Sequence, residues 1–197
     1  MAKALPIEGL DPDAPIFENV RLIIQTRLDE MLIFEPFIDK VDRVFELHQM
    51  RIAAKRLRYC MEIFQPILTG YTPHGKEFSK AMEQIKALQE HLGEIHDADV
   101  LVPRLEEQLT RLLKVGHGKN KKGELRTGAN LVDMEGCQGL LTLCIQVRDE
   151  RADRYLRLLN DWEQYRTHGF FESFTQLLRS AADLPDKPSP TPSGAAA

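Results

Sequence analysis

Apolar residues along the chain recur at intervals of three and four. Phe17, Val20, Ile24, Leu28 and Met31 mark a first helix, with Pro15 suited to its first turn, Asp13 placed to cap it and Pro36 ending it. A second helix is predicted from a cap at Asp39 to about Leu68, where Thr69 and Gly70 stop it. A third carries Phe78, Met82, Ile85, Leu88, Leu92 and Ile95 on one side, with Gly93 a candidate interruption. Asp97 or Asp99 is placed to cap a fourth, which puts Pro103 in the first turn, where backbone N–H groups have no intrahelical partner. A long fifth helix spans about Asp133 to Tyr165, and beyond Gly169 a short sixth holds Phe170, Phe171, Phe174, Leu177 and Leu178.

No segment alternates with the period of a strand. The pattern therefore predicts an all-α fold, an antiparallel up-and-down bundle of about six helices with long amphipathic faces and short connections. Residues 1–14 read as a flexible lead-in, 15–182 as the helical domain, and 183–197, rich in Pro, Ser and Ala, as a disordered tail.

Composition changes this picture little. Hydrophobic residues make up 43% of 197, enough for one core. No apolar run approaches the ~20 residues that span a bilayer, so no membrane partner is expected. The first ten residues lack the basic start and apolar middle of a signal peptide, and a cytoplasmic location follows as the expectation. Cys60, Cys137 and Cys144 form no CxxC pair and read as reduced thiols, the last two as small core residues on one helix face.

Charge is more informative in its distribution than in its sum. The formal net charge of −4 argues against a general nucleic-acid binder, so an anion site has to be local. The segment from His48 to Phe64 supplies one. On a helical wheel, His48, Arg51, Lys55, Arg58 and Tyr59 share one face, and Met50, Ala53, Leu57, Met61 and Phe64 share the opposite one, with Arg56 on the flank. No acidic residue lies between His48 and Tyr59. A solvated face would mix signs, because opposite charges at i,i+4 stabilise a helix and like charges cost a few tenths of a kcal/mol. An unmixed row calls for an anion, or for neutralisation by acids of a neighbouring helix, for which Glu83, Glu90, Glu94, Asp97 and Asp99 are available. Arginine forks match phosphate oxygens, lysine adds a point charge, and a row ~15 Å long suits an extended polyanion better than one phosphate.

These residues, H48-x-x-R51-x-x-x-K55-R56-L57-R58-Y59 followed by E62-x-F64, resemble the signature of the CHAD family, the conserved-histidine α-helical domain. The stretch from Leu88 to Leu101, LQEHLGEIHDADVL, is similar to a second element of that family. The resemblance extends over about residues 15–180 and is specific in these two stretches. It implies a helical bundle that binds inorganic polyphosphate, in some members at polyphosphate granules, without catalysis. On matching positions it implies ligand contacts at His48, Arg51, Lys55, Arg56, Arg58 and Tyr59. Lys80 and Lys86 on the third helix, and Arg148 and Arg151 beside Tyr155 on the fifth, are further candidates, the last two set among Asp149, Glu150 and Asp153.

Two features depart from the family pattern. Members usually have two pseudo-symmetric halves, each with its own His-headed helix, and this chain has one. Either one half suffices or two chains pair as a homodimer. His96 also stands where relatives often carry Arg or Asn.

Other chemistry is poorly marked. His91, Glu94, His96, Asp97 and Asp99 are dense in potential metal ligands, but His91 and His96 lack the i,i+4 spacing of helical metal pairs, and no metal or other cofactor is expected. No GxSxG, P-loop or GxGxxG is present, so an enzyme is not expected. The segment 116–130 holds Lys119, Lys121, Lys122 and Arg126 and reads as a basic loop, either a mobile arm or a solvated linker. Two rival functions stand beside polyanion binding: a scaffold whose row docks an acidic protein, and a metal-dependent enzyme acting on phosphorylated small molecules. Nucleic acid stands as a non-specific alternative ligand, against which little aromatic surface adjoins the row for base stacking, and sequence-specific nucleic-acid binding is not expected.

Overall fold

The computed structural model describes residues 4–71, 74–115 and 131–182. The described residues form five α-helices, α1 (Ile16–Leu32), α2 (Val44–Tyr71), α3 (Gly75–Val115), α4 (Leu131–Thr167) and α5 (Phe170–Ala182), with a 3₁₀ turn at Glu35–Phe37 and no strand. The all-α class and the bundle follow the periodicity. The helix count does not, because the expected third and fourth helices are one.

That continuity has a packing cause. The apolar stripe of α3 continues past Ile95 through Ala98 and Leu105, which pack on Cys144 and Val147 of α4. Burial along this seam offsets the local cost of Pro103, which is about 3 kcal/mol for a proline inside a helix. Asp97 and Asp99 are accordingly mid-helix residues and not caps, and Gly93 does not interrupt.

The other ends differ in smaller ways. Pro15 itself occupies the position before α1, with no side-chain cap, and the Asp13 N–H donates to the Asp11 carboxylate. The first helix ends at Leu32, and Pro36 lies in the 3₁₀ turn. The second starts at Val44, past Asp39, and runs through Thr69 and Gly70 to Tyr71 with Pro66 inside it. Gly169 does break the chain between α4 and α5, with a φ of 62° that favours glycine. The lead-in is tied to α1, since Asn19 hydrogen-bonds the Asp11 backbone in both directions and Arg27 donates to the Leu5 carbonyl.

Successive helices pack antiparallel in chain order, and α5 returns against α1 to close the arrangement. The main core joins Ile24, Leu28 and Met31 of α1, Met50, Leu57 and Met61 of α2, Ile85, Leu88 and Leu92 of α3, Leu158 and Trp162 of α4, and Phe174 of α5. Cys144 is buried and Cys137 half-buried, and all three cysteines are free thiols. No helix among the described residues is long and apolar enough to cross a membrane.

Candidate functional site: a cationic row between α2 and α3

The inward face of α2 is closed by Met50, Ala53, Leu57 and Met61, all fully buried. Helical geometry then fixes what is left on the outside. His48, Arg51 and Arg58 are half-buried, while Lys55 and Tyr59 are exposed. Lys55 Nζ lies 5.5 Å and the Arg58 guanidinium carbon 5.0 Å from the centre of the Tyr59 ring, so the ring spaces two cations and attracts both.

Neutralisation by neighbouring acids, the alternative to an anion, is absent where it matters. Among the described residues neither Arg51 nor Lys55 has a carboxylate within 4.0 Å. Arg58 approaches only Glu62 of its own helix, at 3.5 Å, and its Nε makes no hydrogen bond. Arg51 Nε and His48 Nδ1 are likewise shielded from solvent and without a hydrogen-bond partner. A polar atom shielded in this way and left without a partner carries a free-energy cost.

The acids expected to compensate the row are engaged elsewhere or exposed. Glu94 pairs with Arg154 at 2.7 Å and Asp99 with Arg151 at 2.5 Å, both arginines on α4. Glu90 meets Lys86 at the limit of an ion pair, 4.0 Å, with both side chains more than half exposed. Glu83 and Asp97 are exposed.

The second wall of the row is α3. The His96 and His48 rings stack with centroids 4.2 Å apart and planes 30° from parallel. Arg51 lies against Gly93, and Gln89 sits one turn below. Lys86, Gln89, Gly93 and His96 fall on one stripe of α3, at the three- and four-residue spacing that keeps side chains on a common face. Of these only Lys86 was singled out from the sequence as a ligand contact; the spacing of the other three from it was the available signal.

Not every candidate joins the row. Arg56 turns to the α1 side, where it and Arg27 both bind Glu30, a carboxylate only 3% exposed. It holds α1 to α2 through charge. Lys80 lies at the other end of the bundle, lining a cleft with His74, Gln84, His168 and Phe170. Arg148 pairs with Glu106 of α3, and Arg151 pairs with Asp99 and donates to the Val41 carbonyl at 3.3 Å. Both are spent on holding α3 and α4 together. Tyr155, beside them in sequence, donates its hydroxyl to the Ile38 carbonyl at 2.8 Å and is buried.

The dense group from His91 to Asp99 disperses in the same way. His91 reaches Asp161 at 3.1 Å, Glu94 and Asp99 take arginines of α4, and His96 faces His48. Among the described residues no three His, Cys, Asp or Glu side chains converge as a metal site would require. The basic segment 116–130 lies outside the described residues, as does the tail 183–197.

Electrostatics at the head of the row follow from this geometry. Partial burial pushes the His48 imidazole below its ordinary pKa, and the neighbouring His96 and Arg51 push in the same direction. In the absence of an anion, His48 therefore resists becoming a further positive group beside Arg51.

Comparison with known families gives a match to part of the chain. The CHAD domain family model matches residues 33–106, which takes in all of α2 and α3 as far as Glu106. Both walls of the row lie inside the match, and Arg148 and Arg151 lie outside it. No curated protein and no solved structure matches the chain.

Proposed function

We propose that this chain, whose residues 33–106 match the CHAD domain family, binds inorganic polyphosphate or a closely related polyphosphorylated anion and performs no catalysis on it. The observation that carries the reading is the charge of Arg51 and Lys55, uncompensated among the described residues, together with Arg58, which meets only Glu62 of its own helix, along one face of α2. Arg51 and Arg58 each retain an unsatisfied Nε behind the guanidinium fork, and forks of this kind bind phosphate oxygens in pairs.

An extended chain of phosphates fits better than a single phosphate. His48 to Arg58 covers about 15 Å along the helix axis at ~1.5 Å per residue. Tyr59 supplies a hydroxyl at the far end, and Lys86 stands on the facing stripe of α3. Net charge does not oppose this, because a row flanked by a low-dielectric bundle focuses its field locally.

Titration calorimetry with long-chain polyphosphate at low and moderate salt, against equal phosphate as short oligomers, tests the reading. Tight binding that favours the long chain and weakens steeply with salt is the expected result, by the release of counterions from the polyanion. Absence of binding at low salt overturns it and leaves an acidic protein as the partner of the row.

A further inference from the structure

We infer that His48 and His96 form a two-histidine clamp at the head of the row that takes up a proton when phosphate binds, so that acidification tightens the site. The inference rests on the proposed polyanion function and assigns His96 as a ligand contact.

The geometry is specific. Two imidazoles from different helices stack at 4.2 Å, and Arg51 stands one turn along from His48. His48 Nδ1 is shielded from solvent and bonded to nothing. Most acids on the flanking helices are already engaged, Asp97 excepted. On the α3 side, Glu94 and Asp99 are held by Arg154 and Arg151 of α4. On the α1 side, Glu30 is held by Arg27 and Arg56. Asp97, next to His96 in the chain, is exposed and in no ion pair among the described residues. Among the described residues no carboxylate thus lies within ion-pair distance of His48 or His96 to favour the protonated form.

Without an anion, adding a proton to the pair places a new positive charge beside Arg51 in a partly desolvated setting, which is unfavourable. A phosphate oxygen reverses the balance. It neutralises the repulsion and accepts the hydrogen bond that the imidazolium N–H offers. Each pKa unit by which the bound anion raises the pair converts to about a tenfold gain in affinity once the pH falls below the free-state pKa. Long polyphosphate suits the test because its internal phosphates stay ionised between pH 6 and 8, so the protein alone supplies the titration.

The experiment measures polyphosphate affinity at pH 8, 7 and 6, together with binding enthalpy at pH 7 in buffers of different ionisation enthalpy. The expected result is affinity rising about tenfold from pH 8 to 6, with net proton uptake on binding. His48→Gln should flatten the profile at the weak end and remove most of the proton uptake. His96→Arg, which supplies a permanent cation while His48 still titrates, should raise affinity at pH 8 and so make the profile shallower. Histidine ring NMR on the wild-type protein gives a readout independent of variant stability: the His48 pKa should rise on adding polyphosphate, while those of His74 and His168, remote from the row, hold still. Binding that occurs but is indifferent to pH, with no proton uptake and an unmoved His48 resonance, overturns the clamp and leaves the polyanion reading intact. Absence of binding at every pH overturns the polyanion reading itself.

Discussion

The guanidinium of Arg51 rests against Gly93, its Nε 3.9 Å from where a Cβ on that glycine would stand. The same Cβ would be 3.7 Å from the Gln89 amide, so both contacts are ordinary van der Waals distances. Gly93 has no left-handed backbone conformation to maintain. Its smallness keeps the floor of the row low beneath a cation. Gly93→Ala should therefore fold normally and raise stability by about 0.5–1 kcal/mol, the usual gain inside a helix, with little change in polyphosphate affinity. Gly93→Glu sets a carboxylate beside Arg51 and should weaken binding at least as much as removing that arginine. Thermal melts and calorimetry on the two variants check both outcomes.

Removing the row should cost binding and not structure. Arg51→Ala combined with Arg58→Ala deletes two forks that no described acid on another helix engages. At about 1.5–3 kcal/mol for each charged hydrogen-bonding group, affinity should fall by at least ~100-fold, and the salt dependence should become shallower. Helical circular dichroism should be unchanged. Arg148→Ala is the contrast. That side chain is more than half exposed and paired with Glu106, so its loss should cost only about 0–1 kcal/mol of stability and leave polyphosphate affinity near wild type.

Much of this arrangement was legible in the sequence, and the exceptions have physical reasons. Periodicity within α2 separated Met50, Leu57 and Met61 from Arg51, Lys55 and Arg58, because a helical wheel needs only local geometry. Arg56 could not be separated in the same way. Its partner Glu30 lies on another helix, and spacing within α2 says nothing about which neighbour covers its flank. The break assigned near Asp97 failed because local signals, a glycine, two aspartates and a proline, were outweighed by the seam of Ala98, Leu105, Cys144 and Val147, visible only once α4 is in place. In sequence His96 stands out only as a departure from the family pattern and as one of a dense group of potential metal ligands, and the stack on His48 emerges only from the antiparallel register of α2 and α3.

Arg56 should behave as a structural residue. With Arg27 it neutralises a buried carboxylate, and Arg56→Ala leaves Glu30 in low dielectric with one partner in place of two. A loss of about 2–4 kcal/mol is expected, at the lower side of breaking a buried pair because Arg27 remains. Glu30→Gln in the same background should return part of it by removing the uncompensated charge. Denaturant unfolding of the single and double variants measures the coupling. Polyphosphate binding by the folded fraction of Arg56→Ala should stay well above that of the Arg51 and Arg58 double variant.

Acid should loosen the free protein through His48. Its pKa in the folded state lies below the ordinary 6.5, with burial as the main cause and His96 and Arg51 adding to it. The unfolded chain then binds more protons than the folded one in the window from about 6.5 down to the folded-state value, so this group's contribution to stability falls as pH falls through that window. Lowering pH from 7.5 to 5.5 should lower Tm in the absence of polyanion, and His48→Gln should remove part of that slope. Saturating polyphosphate should oppose the trend, because a ligand that binds the folded protein more tightly in acid stabilises it more there. Melting curves across that pH range, with and without polyphosphate, should therefore diverge toward acid. Curves that run parallel would show that the head of the row does not couple protons to the anion.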